Sequence, residues 1–368
     1  MTVTLDSASG RSAPRTRQEV VERLRALVAG FAPGARCPTV RQLMAEFGVS
    51  QHLIQGAMNE LRQEGIISSH VGRGTFVSSG PGTAQRTRSV LTLLYQHPYQ
   101  RGDVIARLVH QRLSIEGHES LTLTYSNAAH VMELLKSGTR YDAAIVQPRS
   151  SILSVSLLAL LKQRADHVLI EGQAAEHLDV DAVSNDPEKT VDLMVSHLFQ
   201  QGHRRIAWIM EDCGNYFFNR TASFFRTYCR GAGRSAEDCP VVAAEPDRDK
   251  LGIRDLPAVI AGLKDSAKRL PFTAIVVASF VDGRAVMEAL ARCGLETPKD
   301  VAVARLGTPD LASDHVGRIT IAGRPSTRAA NTVLERLQWR WGHPSAPFQT
   351  YFDTPELAVF DSTSLKPR

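Results

Sequence analysis

The sequence has few of the features that mark secreted, membrane-spanning or metal-held chains. Its longest mostly apolar run, residues 152–161, is far short of the about 20 residues that cross a bilayer. The opening MTVTLDSASGRSAPR contains no apolar core of the kind a secretory signal needs. Cys37, Cys213, Cys229, Cys239 and Cys293 form no CxxC pair and no metal-like cluster. Odd in number and scattered, they fit a reducing cytoplasm better than a disulfide framework. The chain has no G-x4-G-K-[ST], no G-x-G-x-x-G after a strand, no H-E-x-x-H and no G-x-S-x-G. Phosphate loops, dinucleotide folds, zinc proteases and esterase elbows therefore find no support. No catalytic residue, cofactor or metal site is expected, and the cytoplasm is the expected location.

Lysine is absent from the first 89 residues, which carry 11 arginines against 6 acidic side chains. The other 279 residues balance, with 32 basic and 32 acidic side chains, so the net charge of +5 sits wholly in the first quarter of the chain. A small basic module joined to a larger neutral one points to a polyanion as the partner of the small part. Hydrophobic residues at 43 % and charged residues at 22 % of 368 positions are ordinary globular values and allow two or three domains.

In residues 16–29, Val20, Leu24, Leu27 and Val28 fall on one stripe of an amphipathic helix, which Gly30 stops. Thr39 is placed to cap a second, short helix with Leu43 and Met44 inward, and Gly48 stands where a left-handed residue would end it. Ser50 is placed to cap a third helix, buried through Ile54, Ala57, Met58 and Leu61 and closed by Gly65. Residues 66–69 and 75–77 read as strands joined by the tight turn HVGRG. The sum is a winged helix-turn-helix, whose third helix has the width of a major groove. Gln51, His52, Gln55 and Asn59 face outward on it. Glutamine and asparagine make paired hydrogen bonds to adenine edges, although solvated surface side chains would look the same in sequence. Arg41 starts the second helix, where it suits a phosphate, and Arg73 tips the wing.

The stretch PGARCPTVRQLMAEFGVSQHLIQGAMNELRQEGIISSHVGRGTFV resembles the GntR-type winged-helix domain over residues 16–78. The resemblance implies DNA contacts at Thr39, Arg41, Ser50, Gln51, His52, Gln55, Gly72 and Arg73. That family usually has arginine where this chain has Gln51 and Gln55. Two charges fewer lower the salt slope expected for DNA binding. Residues 1–15 read as a disordered arm, and residues 79–89, SGPGTAQRTRS, as a linker.

From residue 90 the pattern changes. Strand-like runs at 90–94, 121–125, 143–147, 168–171, 182–185, 206–210, 274–278 and 301–304 alternate with helical stretches at 103–116, 188–201, 218–231 and 282–293. Continuous apolar strands between helices mean doubly wound parallel sheets. A module of this length divides naturally into two lobes with a ligand cleft between them. Tyr95, Gln96 and Gln147 follow strands, where such sheets bind ligands, and Tyr216 lies in the loop after another.

AVSNDPEKTVDLMVSHLFQQGHRRIAWI, NRTASFFRTYCRGAG, PFTAIVVASFVDGRAVMEALARCGLETPKDVAV and the closing TPELAVFDST resemble the LacI/GalR repressor family across residues 88–364. The resemblance implies a periplasmic-binding-protein-like domain at 90–368 that binds an effector and dimerises. It also implies an arginine, here Arg220, that reaches a ligand oxygen; a tie between two loops is the alternative. Two departures stand out. Ser279-Phe280 replaces the usual Asn-Asp, exchanging a hydrogen-bond acceptor for a ring that stacks. Arg305-Leu306-Gly307 replaces G-[FY]-D.

The expectation is a DNA-binding regulator, a repressor acting as a homodimer on a palindromic operator and governed by a small metabolite such as a sugar. The alternatives are a DNA-binding dimer with a degenerate cleft, and an enzyme built like the aminotransferase fusions of GntR-type domains. The second module is short for such a fusion.

Overall fold

A computed structural model describes residues 16–364, apart from 33, 65, 71–73, 78–86, 97–99, 149–153, 176–177 and 248–251. The expected arm, most of the expected linker, Gly65, Gly72 and Arg73 lie outside the described residues. The chain divides at Thr87 and Arg88 into two units.

The first unit runs α1 (Arg17–Ala29), α2 (Val40–Phe47), α3 (Gln51–Gln63), β1 (Ile67–His70) and β2 (Gly74–Val77). Thr16 caps α1 and Thr39 caps α2, each in a capping box closed three residues on by Glu19 and Gln42. Gly48, at φ 67°, takes the left-handed conformation that ends α2 and turns the chain into α3. Two caps differ from expectation. Ser50 occupies the N-cap of α3 but makes no side-chain bond there. Gly30 ends α1 at φ −82°. The last turn of α1 instead tightens through Gly30 N–H to Leu27 O at 3.2 Å and Phe31 N–H to Val28 O at 3.0 Å. Val20, Leu24, Leu43, Phe47, Ile54, Leu61 and Ile67 form the core. β1 and β2 pair antiparallel from Ile67 opposite Val77 to His70 opposite Gly74.

The second unit begins with β3 (Ser89–Tyr95), α4 (Arg101–Ile115), β4 (Glu119–Tyr125), α5 (Ala128–Lys136), β5 (Tyr141–Gln147), α6 (Val155–Arg164), β6 (Ala165–Glu171) and β7 (Asp181–Asn185). It continues with α7 (Pro187–Gln200), β8 (Ile206–Glu211), α8 (Tyr216–Gly231), β9 (Val241–Ala244), α9 (Leu256–Gly262), β10 (Ala274–Ala278), α10 (Gly283–Arg292), β11 (Ala302–Leu306) and β12 (Thr320–Gly323). It closes with α11 (Ser326–Gly342), β13 (Thr350–Asp353) and β14 (Glu356–Ala358).

The strands form two six-stranded sheets, in the orders β13-β7-β6-β5-β3-β4 and β14-β12-β11-β10-β8-β9. Every pairing in them is parallel except β12 with β14. Parallel strands covered on both faces are apolar throughout, as in Ile206, Ala207, Trp208 and Ile209, all fully buried. Trp208 stacks on Phe225 of α8, ring centroids 4.7 Å apart.

Three crossovers join the lobes, between β7 and α7, between β12 and α11, and between β13 and β14. Asp186 caps α7 just beyond the first, accepting the Lys189 N–H at 3.0 Å. Asp310 holds the N-terminus of α11 beyond the second, accepting N–H bonds from Ser326 at 2.6 Å and Thr327 at 3.0 Å. α11 returns to the first lobe and is tied there by Asp181, which bonds Arg336 at 2.6 Å and Arg340 at 2.6 Å.

Candidate functional site

Two places in the molecule gather chemistry. In the first unit, burial of Ile54, Ala57, Met58 and Leu61 fixes which face of α3 looks outward. Gln51, His52 and Gln55 are exposed on that face, and Ser50 is exposed at its start. Asn59 is exposed too, but its amide oxygen accepts from Arg62 at 2.6 Å, and Arg62 also reaches the Ser69 hydroxyl at 3.0 Å. That chain ties α3 to β1 and leaves Asn59 occupied.

Three further arginines of this unit are held. Arg17 pairs with Glu60 at 3.3 Å, Arg25 pairs with Glu64 at 2.6 Å, and Arg23 lies over the Phe47 ring. Arg41 is exposed on the first turn of α2 and, among the described residues, has no ion pair. Thr39 is exposed beside it, with its hydroxyl engaged in the capping box. Among the described residues, the face therefore carries Arg41 without an ion pair beside two glutamines and a histidine with hydrogen-bonding edges.

The second place is a cleft of about 140 Å³ in the second unit, lined from both sheets at the carboxyl ends of their strands. That position follows from the fold, because parallel strands present their loops and the helix N-termini after them at one edge. The first lobe supplies Tyr95, Arg101, Gly102, Gln147, Glu171 and Asn185. The second supplies Asn215, Phe217, Phe218, Ser279, Phe280 and Thr308. Phe218 and Phe280 lie 5.0 Å apart with rings tilted by 59° and make an apolar wall. Phe280 is held by its own N–H, which donates to Glu211 at 3.1 Å, while the Ser279 hydroxyl donates to the same carboxylate oxygen at 2.6 Å.

Across from this wall, Arg101 donates to Glu171 at 2.7 Å, and Arg324 of the second crossover meets the same carboxylate oxygen. Gln147 is buried, and neither its amide nitrogen nor its amide oxygen has a partner among the described residues.

Of the sequence candidates, Tyr95, Gln147 and Phe280 line this cleft, whereas Gln96, Tyr216 and Arg220 do not. Gln96 is exposed, and its N–H bonds the Tyr125 carbonyl at 2.8 Å. In α8 the inward positions are Phe218, Thr221, Ala222 and Phe225. Tyr216 and Arg220 fall off that face, and Arg220 lies over the Phe224 ring, 5.1 Å from its centroid. Arg305 is buried behind the cleft wall. It pairs with Asp314 at 2.8 Å and donates to the Val281 carbonyl, while Asp314 accepts the Thr308 N–H at 2.7 Å. The substitution at this position thus braces the loops that carry Thr308 and Val281.

Sequence reading missed Arg101, Glu171, Asn185, Phe217, Phe218 and Arg324. Glu171 did carry a signal, an acid closing an apolar strand. No three His, Cys, Asp or Glu side chains gather as a metal site among the described residues, and none of their helices is long and apolar enough to cross a membrane.

Together the winged helix and the two-lobed cleft domain define a transcriptional regulator that joins a DNA-binding domain to a ligand-binding-protein fold. Residues 16–77 match the bacterial regulatory proteins of the gntR family, and residues 195–363 match the periplasmic-binding-protein-like domain. The arabinose metabolism transcriptional repressor of Geobacillus stearothermophilus is 23 % identical over 348 residues, covering 90 % of this chain and 93 % of the relative. A LacI family transcriptional regulator from Enterococcus faecium, solved with bound ribose, superposes with a TM-score of 0.60 at 15 % identity, covering 76 % of this chain and all of that one. The lac repressor dimer, solved on its operator with the anti-inducer ONPF, superposes with a TM-score of 0.60 at 14 % identity, over 77 % of this chain and 96 % of that one.

Proposed function

We propose that this protein is a cytoplasmic repressor that binds a palindromic operator as a homodimer and releases it when a small metabolite, a sugar by analogy with its relatives, fills the cleft. Arg41, with Arg73 in the wing, contacts phosphate. Ser50, Gln51, His52 and Gln55 contact the groove, and Thr39 and Gly72 support the approach of the backbone. Tyr95, Gln147 and Phe280 contact the metabolite.

The observation that carries the reading is the outward row on α3. Gln51, His52 and Gln55 are exposed side by side on a helix whose opposite face is the domain core. An exposed row of neutral side chains with paired donors and acceptors matches base edges better than it matches phosphate. Support for metabolite control comes from the cleft and from relatives and neighbours named for arabinose metabolism or solved with ribose.

Selection of bound duplexes from a random DNA pool by the full chain tests it. Enrichment of an inverted repeat whose half-sites lie about one helical turn apart, 10–10.5 base pairs, or a multiple of it is expected. Recovery of DNA with no common sequence would contradict a sequence-specific regulator.

A further inference from the structure

Among the described residues, the charges at the cleft pair with one another. Arg101 lies 2.7 Å from Glu171, Glu171 also meets Arg324, and Arg324 stands 3.7 Å from Asp353. Two cations thus face two anions. Glu171 and Arg324 are 2 % and 0 % exposed. Burial opposes ionisation of Glu171, yet Arg101 and Arg324 outweigh it and hold its pKa below the ordinary carboxylate value. Burial draws the Arg324 pKa down to about 10, with Glu171 opposing, so it stays protonated at neutral pH. Arg101 and Glu171 are the only charged side chains among the described residues that line the cleft.

Among the described residues, this arrangement offers no surplus charge to an incoming ion. An anion would take Arg101 only by leaving the buried Glu171 with a single arginine, and it would sit against the Glu171 charge itself. Uncompensated buried charge is costly.

Gln147 adds a second, independent discrimination. It is 6 % exposed, and both ends of its amide lack partners among the described residues. It lies along the first turn of α4 because residue 102 is glycine: a Cβ there would stand 2.7 Å from the Gln147 amide oxygen. A glutamine amide presents two donors and an acceptor. Neighbouring hydroxyls, each both donor and acceptor, satisfy both ends. A carboxylate or an ionised phosphate placed against it only accepts, and it leaves the buried amide oxygen unpaired.

We infer that this closed charge set, with Gln147 as the reading side chain, makes the cleft select uncharged polyhydroxylated ligands over acids and phosphate esters of the same carbon skeleton. The inference rests on the effector reading above. The Phe218–Phe280 wall suits the apolar face of such a ring.

Calorimetric titration of the full chain with matched pairs tests it: arabinose against arabinonate, ribose against ribose 5-phosphate, and glucose against gluconate and glucose 6-phosphate. At least one neutral member is expected to bind, with its charged partner at least about tenfold weaker. Gln147→Glu, which replaces the donor end by an acceptor, is expected to weaken the neutral ligand by at least about tenfold. Glu171→Gln, which uncovers the arginines, is expected to narrow or reverse the preference within each pair. Should that variant fail to fold, as judged by circular dichroism, the wild-type pairs and Gln147→Glu still decide. A charged member that binds wild type as tightly as its neutral partner overturns the inference and leaves the effector reading standing. Binding by no member of any pair contradicts both.

Discussion

Replacement of Asp181 by asparagine is expected to lower the unfolding temperature of the second unit by about 10 °C. Asp181 is 2 % exposed and pairs with Arg336 and Arg340, themselves 7 % and 1 % exposed. Removing the anion leaves two buried guanidinium groups without that partner, a change that costs about 3–5 kcal/mol in comparable cases. Each kcal/mol shifts the melting point of a unit this size by about 2–4 °C. Backbone carbonyls around Arg340, such as Ala346 O at 2.6 Å, soften the loss without replacing the charge.

The pH dependence fixes the cause. Burial raises the Asp181 pKa, but hydrogen bonds from Arg340 and Arg336 outweigh burial and hold it below 3.8. A carboxyl whose folded pKa is depressed stabilises the fold above its unfolded pKa and loses that contribution as pH falls through the folded value. The gap between wild type and variant is therefore full at pH 7 and shrinks below about 3.8. Asp361→Asn breaks an exposed pair with Arg318 at 3.5 Å and is expected to leave the transition unchanged. Differential scanning calorimetry of the full chain reads all three. An Asp181→Asn transition within a degree of wild type would show the α11 anchor to be dispensable.

The double replacement Gln51→Ala, Gln55→Ala is expected to weaken the selected operator by at least about a thousandfold, because the dimer loses four base contacts and a well-placed bidentate contact is worth about 1–3 kcal/mol. Affinity for unrelated DNA and the salt slope should both hold, since no charge is removed. Arg41→Gln gives the opposite pattern, with weaker binding to every sequence and a salt slope lower by about 2, one phosphate contact from each subunit of the dimer. Titrations at several salt concentrations separate the two. Equal loss on operator and unrelated DNA in the double variant would place base reading elsewhere.

The first unit was legible in sequence because its signals agree. Val20, Leu24, Ile54 and Leu61 repeat at helical spacing, and Thr39 and Gly48 punctuate α2 where the structure has them. The central strands of the second unit were legible as continuous apolar runs. α11 was not recognised as a helix, and the reason is physical: it buries Arg336 and Arg340 on its inner side, so its pattern lacks a clean apolar stripe. β13 and β14 are short and half exposed, and β9 has little buried surface, so none of them produced a strand signal.

At the cleft, residues ending predicted strands were within reach of sequence, as Gln147 and Phe280 were. The charge set was not. Arg101 and Glu171 are 70 positions apart, and Arg324 and Glu171 are 153 apart. Only the parallel sheet and the second crossover bring them together. The two cleft departures also read differently once folded. Phe280 does face the cleft, whereas Arg305 has no ligand-facing atom and supports the loops behind it.

The measurement that bears most directly on metabolite control is the affinity of the full chain for its selected operator, by fluorescence anisotropy at fixed salt, with and without a saturating neutral sugar from the calorimetric panel. The predicted result is a change of at least about fivefold, matched by an equal change in sugar affinity when operator is bound, since coupling between two sites is reciprocal. An operator affinity that stays the same at saturating sugar would contradict control through the cleft.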